Sequence, residues 1–174
     1  KTGIHLPANM SATLSDDDAA LLNGYIDHEA AHVRFTDLDV FIDCKEGIER
    51  TILNIIEDVR IERLIGLSFP GCAKNLAKAS EILDSGNPIP TTEALMSHPA
   101  SAVMCDYLLL SLRRKVLANK IAAPTGHREV LVNQISGEII DQIDEIALAG
   151  CYVDTTEKCR ESVTKILELL SHNQ

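Results

Sequence analysis

His28-Glu29-Ala30-Ala31-His32 is an HExxH pattern inside a stretch with helical periodicity. Two histidines four residues apart project from one face of a helix and can hold one Zn²⁺ together. The intervening Glu29 then lies beside the coordination position that the protein leaves open. A carboxylate there takes a proton from water and passes it to a leaving group, so Glu29 is the expected general base. Short patterns also arise by chance, and the plain alternative is two solvated histidines beside an ordinary helix glutamate.

A zinc site of this kind needs a third protein ligand. The segment Asn54-Ile55-Ile56-Glu57-Asp58-Val59-Arg60-Ile61-Glu62 is apolar almost all round, which implies burial. Against that background Asn54, Asp58 and Glu62 recur every four residues as one polar line. Buried carboxylates without partners are costly, so this line calls for a metal, a histidine or an arginine. The expected third ligand is Asp58. Glu62, one turn on, is the expected acceptor for a ligand histidine's N–H, with Asn54 beside it. Glu57 stays open as the alternative ligand, because such sites commonly take glutamate. Its helical angle turns it toward Leu53, Ile61 and Leu64, where it could pair with Arg60 or with an arginine of another helix. An internal ion-pair network without metal is the other reading of this segment.

The elements that must position these residues read as helices. Ser15 followed by Asp16, Asp17 and Asp18 marks a helix start, because free N–H groups there favour an oxygen cap and negative charge. That helix is expected to run to about Val33, with Ala19, Leu22, Ile26, Ala30 and Val33 as its core stripe. Leu21, Tyr25, His28 and His32 share the opposite stripe. A second helix is expected over about 45–67, with Ile48, Ile52, Ile55 and Val59 inward. Phe69-Pro70-Gly71 should break the chain before a third helix at about 72–83. Further helices are expected at about 92–97, 100–119, 127–149 and 155–171. The fold class is therefore all-α, six to seven helices, with at most a short strand near Ile4–Leu6 in an extended arm over 1–14.

Arg34, Thr36, Asp37 and Asp39 follow the HExxH helix closely and either close the site from the side or cap helix ends; capping and surface roles are the favoured reading. His5, His98, His127 and His172 are isolated and read as ordinary histidines; His127, near a helix start, is the one worth testing as a transition-state donor. Arg113-Arg114-Lys115 reads as the basic end of a core helix.

The 174 residues fit a single domain. Aromatics make up 3% and Trp is absent, so Leu, Ile, Val and Ala must build the core. A net charge of −10 argues against nucleic acid and against anionic membranes. No apolar run approaches a membrane span, and no signal segment is evident at the N-terminus. Five widely spaced cysteines read as reduced thiols, which places the protein in the cytoplasm; Cys151 and Cys159 are the one pair that an oxidising compartment could join.

The segment from Tyr25 to Leu76 resembles the cobaltochelatase T subunit and its relatives. The resemblance rests on HEAAHVRFTD, LNIIEDVRIERLIG and PGCAKNL, above all on Glu57-Asp58-x-Arg60-Ile61-Glu62 followed by Gly66 and Asn75-Leu76. It covers about a third of the chain. The spacing of Asn54, Asp58 and Ile61 also resembles a group of predicted bacterial metallopeptidases with an aspartate as expected third ligand. The resemblance, rather than spacing, is what favours Asp58 over Glu57. It implies a metallopeptidase-like helical region, which in those proteins precedes a von Willebrand factor A domain. No DxSxS motif of such a domain occurs here. A von Willebrand factor A domain or an ATPase is therefore an implied partner.

Two functions of different class follow. The first is a zinc-dependent peptidase acting on a peptide or protein, with His28, His32 and Asp58 holding Zn²⁺. An extended substrate would add a strand near Ile4–Leu6. The second is a non-catalytic adaptor or chelatase-complex component that keeps a structural or vestigial metal. A helical interaction module without metal is a third, weaker reading.

Overall fold

The computed structural model describes residues 14–86 and 89–172. Among them are nine helices and no strand. The expected strand near Ile4–Leu6 lies outside the described residues.

Helix α1 (Asp16–Phe35) starts on a capping box. The Ser15 hydroxyl accepts from the Asp18 amide, and the Asp18 carboxylate accepts from the Ser15 amide. A single turn and a half, α2 (Leu38–Ile42), follows, capped by the Asp37 side chain on the Asp39 amide. Helix α3 (Ile48–Ser68) opens on Gly47, whose φ of 99° only glycine adopts without strain. Helix α4 (Pro70–Gly86) starts one residue later, so the break is narrower than expected. Pro70 takes the first helical position, where its missing N–H costs nothing, and helix formation resumes at once.

The later helices are α5 (Thr92–Leu95), α6 (Ala100–Val116), α7 (Thr125–Val132), α8 (Gly137–Gly150) and α9 (Thr156–Ser171). The helix expected over 127–149 is thus two helices. Asn133 ends the first, and Ser136 caps the second through the Ile139 amide. That split and the short α2 raise the helix count above the six to seven expected.

Helix α3 is the axis of the molecule, packing against α1, α4, α6, α8 and α9. One side of it carries the main core. Ile52, Leu53, Ile56 and Val59 meet Leu108 and Leu112 of α6, Ile140 and Ile143 of α8, and Val163 and Ile166 of α9. Its other side meets α1 through a much smaller apolar cluster, Ala31, Ile61 and Ile65, edged by Phe35, Cys72 and Leu76.

The packing face of α1 differs from the expected stripe. Gly24 and Ala31 are its buried residues, while Ile26 and Val33 are 37% and 69% exposed. The helix lies on α4 so closely that a Cβ at Gly24 would collide with Ala79. Polar pairs occupy this face where periodicity would place apolar side chains: Asn75 of α4 donates to Asp27 at 2.8 Å, and His28 meets Glu62.

Candidate metal centre

The His28 and His32 side chains leave α1 toward α3 and meet Asp58 there. Nε2 of His32 lies 3.1 Å from Nε2 of His28 and 3.2 Å from Asp58 Oδ1; His28 Nε2 lies 3.8 Å from the same oxygen. Three tetrahedral zinc ligands at usual bond lengths stand about 3.3–3.4 Å apart, so the triangle matches that spacing closely.

The partners of the other ring nitrogens fix the chemistry of the three atoms. His28 Nδ1 is 3.0 Å from Glu62 Oε1, and a carboxylate only accepts, so this nitrogen carries the proton. His32 Nδ1 is 3.0 Å from Thr36 Oγ1. Thr36 spends its own hydroxyl proton on Glu57 Oε1, 2.9 Å away, so it accepts from His32. When both imidazoles are neutral, each Nε2 lone pair faces its neighbour. Asp58 Oδ1 is buried and has no hydrogen-bond partner, while its Oδ2 accepts from Asn54 at 2.9 Å. Three electron-pair donors therefore converge on one point. A single proton relieves one of their contacts; a cation at the centre relieves all three.

Burial works against a charge on His28, but the Glu62 hydrogen bond and the Asp58 and Glu62 charges outweigh it. Its pKa lies above the ordinary histidine value, with Arg113 acting against that rise.

Each histidine is braced through a carboxylate held by an arginine. Glu62 Oε1 also accepts from Arg113 of α6 at 2.9 Å. Glu57 accepts from Arg60 through both oxygens, at 2.6 and 2.7 Å, and from Thr36 and Thr156. Arg60 reaches on to the Phe35 and Asp154 carbonyls. Glu57 and Arg60 are fully buried. Glu57 thus stands behind His32 rather than in the triangle. Thr36, for which the sequence favours capping over closing the site from the side, links it to His32, and Arg113, read as a basic helix end, braces Glu62. Neither role has a local signal, because each partner lies on another element or beyond the helix end.

Glu29 lines a groove together with His32, Val33, Leu38, Phe41 and Asn54. Among the described residues no hydrogen bond or ion pair engages its carboxylate. His127 is not brought to the cluster. It is buried in α7, which packs on α5, α6 and α8, and burial lowers its pKa. All five cysteines are free. Burial pushes the Cys151 thiol up to about 12 and raises Cys159 as well, so both act as packing groups. No described helix is long and apolar enough to cross a membrane.

A model of the family described as cobalamin biosynthesis protein CobT matches residues 1–170 of the chain. No curated protein matches it, and no solved structure does.

Proposed function

We propose that this chain, which belongs to the cobalamin biosynthesis protein CobT family, is a zinc-dependent hydrolase that cleaves a peptide bond. The observation carrying the reading is the convergence of His28 Nε2, His32 Nε2 and the orphaned Asp58 Oδ1, with both Nδ1 protons already spent elsewhere. Those three residues would hold the ion, which when bound supplies a Lewis acid for a carbonyl and a lowered pKa for water. Glu62 and Thr36 hold the two imidazoles in the tautomer that leaves Nε2 free. Asn54 orients Asp58 by binding its other oxygen. Glu29, one residue along α1 from His28 and on the groove, takes a proton from water there and returns it to the departing amine. Five unpaired cysteines accompany this reading and suit a cytoplasmic setting.

A second reading is favoured by the family's description, which names a biosynthetic protein and not a peptidase. In it the same cluster is a metal clamp tying α1 to α3 in a non-catalytic component of a larger assembly, with an ATPase or a von Willebrand factor A domain as partner.

The test is Glu29→Gln in the zinc-loaded protein, assayed against a mixed peptide library by mass spectrometry. The peptidase reading expects roughly a 10²–10⁴-fold loss of cleavage at unchanged zinc content. Equal cleavage by the variant contradicts it. A parent protein that binds zinc and cleaves nothing supports the clamp.

A further inference from the structure

The groove at Glu29 has a volume of about 430 Å³ and an uneven lining. Val33 on α1 and Leu38 and Phe41 on α2 form its apolar walls; Glu29, His32 and Asn54 form its polar end. Val33 and Leu38 are 69% and 51% exposed, so nothing in the described fold covers them. Spacing explains their convergence. Val33 follows His32 directly and lies one turn from Glu29, while Leu38 and Phe41 are three apart on α2 and share a face. The Asp37 cap fixes α2 at this place, and Asp37 is itself tied to α9 by its amide donating to Thr156 at 2.9 Å.

We propose that this groove is the subsite for one uncharged, apolar side chain of a peptide substrate, with Val33, Leu38 and Phe41 determining the selection. The inference rests on the hydrolase reading above. Continuity identifies the occupant: His32 belongs both to the metal-ligand triangle and to the groove wall, so whatever fills the groove is joined to the bond presented at the cluster. Charge narrows it further. Among the described residues no Lys or Arg lines the groove, and Glu29 would repel a carboxylate there. An acidic side chain would lose its hydration and gain no partner. A branched or aromatic one would cover the exposed faces of Val33 and Leu38 and gain their burial.

Calorimetric titration of the zinc-loaded full chain with four hydroxamates tests this. Acetohydroxamate probes the metal position alone. The N-acetyl-leucine, N-acetyl-glutamate and N-acetyl-lysine hydroxamates add a side chain. The subsite predicts that the leucine compound binds at least roughly tenfold tighter than acetohydroxamate, and the glutamate compound no tighter. A Val33→Ser/Leu38→Ser protein, altered only at exposed side chains, should lose the leucine advantage and keep its acetohydroxamate affinity. If acetohydroxamate binds while the leucine and glutamate compounds bind alike, the subsite is wrong and the metal site stands. Tightest binding of the lysine compound overturns apolar selection. A double variant that keeps the full leucine advantage overturns the assignment of the walls. Should acetohydroxamate itself fail to bind, the metal reading falls and takes the subsite with it.

Discussion

Glu57 is fully buried, yet both its oxygens are engaged: Arg60 grips each of them, and Thr36 and Thr156 also donate to Oε1. Asp58, the next residue on the same helix, has one oxygen on Asn54 and the other buried, unpartnered and facing two imidazole nitrogens. A helix turns about 100° per residue, so adjacent side chains meet different neighbours. The first carboxylate finds the Thr36 cap of α1 and Thr156 at the start of α9; the second finds the His32 and His28 rings, one and two turns back along α1. Chemical type does not separate the structural carboxylate from the ligand candidate. Satisfaction does. A buried network whose donors and acceptors balance holds the fold together, whereas a cluster with acceptors in excess calls for a cation.

The largest effect on this comparison is expected from Glu57→Ala. It leaves the Arg60 guanidinium buried without its partner, and loss of one member of such a pair costs about 3–5 kcal/mol. Urea unfolding of the metal-free protein should show that loss; a change under about 1 kcal/mol would mean that Glu57 is not the structural member.

Asp58→Ala should behave in the opposite way. Removing an orphaned oxygen leaves metal-free stability unchanged or slightly raised. Zinc affinity should fall by at least roughly 100-fold, more than the loss of a group behind a ligand produces. Competition against a chelating dye measures it. If Glu57→Ala abolishes zinc binding and Asp58→Ala does not, the roles are reversed.

Local signals made much of this legible beforehand. The HExxH helix and the Asn54, Asp58, Glu62 line follow from periodicity, each within its own helix, and the Ser15 cap follows from its side-chain oxygen and the acids after it. Glu62 on His28 followed from the same line, one turn past Asp58. The rest depends on pairing between elements. Val33 looked like core because it is apolar at helical spacing, but the close approach of α1 to α4 at Gly24 turns that face outward. Helix α2 is too short for periodicity to register; its signal was the Asp37 cap, which does not by itself show that a helix follows. Arg113 lies fifty-one positions from Glu62, and nothing in its own segment points there.

A smaller effect should come from Thr36→Val, which keeps the shape and removes the hydroxyl between His32 and Glu57. The His32 ring loses the partner that fixes its tautomer. Zinc affinity should drop roughly 10–100-fold, with stability changed by about 1 kcal/mol. Thr36→Ser should restore the affinity, which a packing defect at the helix end would not explain. Unchanged affinity in the valine variant would detach the Glu57 network from the site altogether.

The most direct test is zinc titration of the metal-free chain at neutral pH, with elemental analysis of the product. The account predicts about one Zn²⁺ per chain in the parent, and no tight binding in a His28→Ala/His32→Ala protein that unfolds as cooperatively as the parent. Absence of zinc in the parent, or the same stoichiometry and affinity in the double variant, would contradict it.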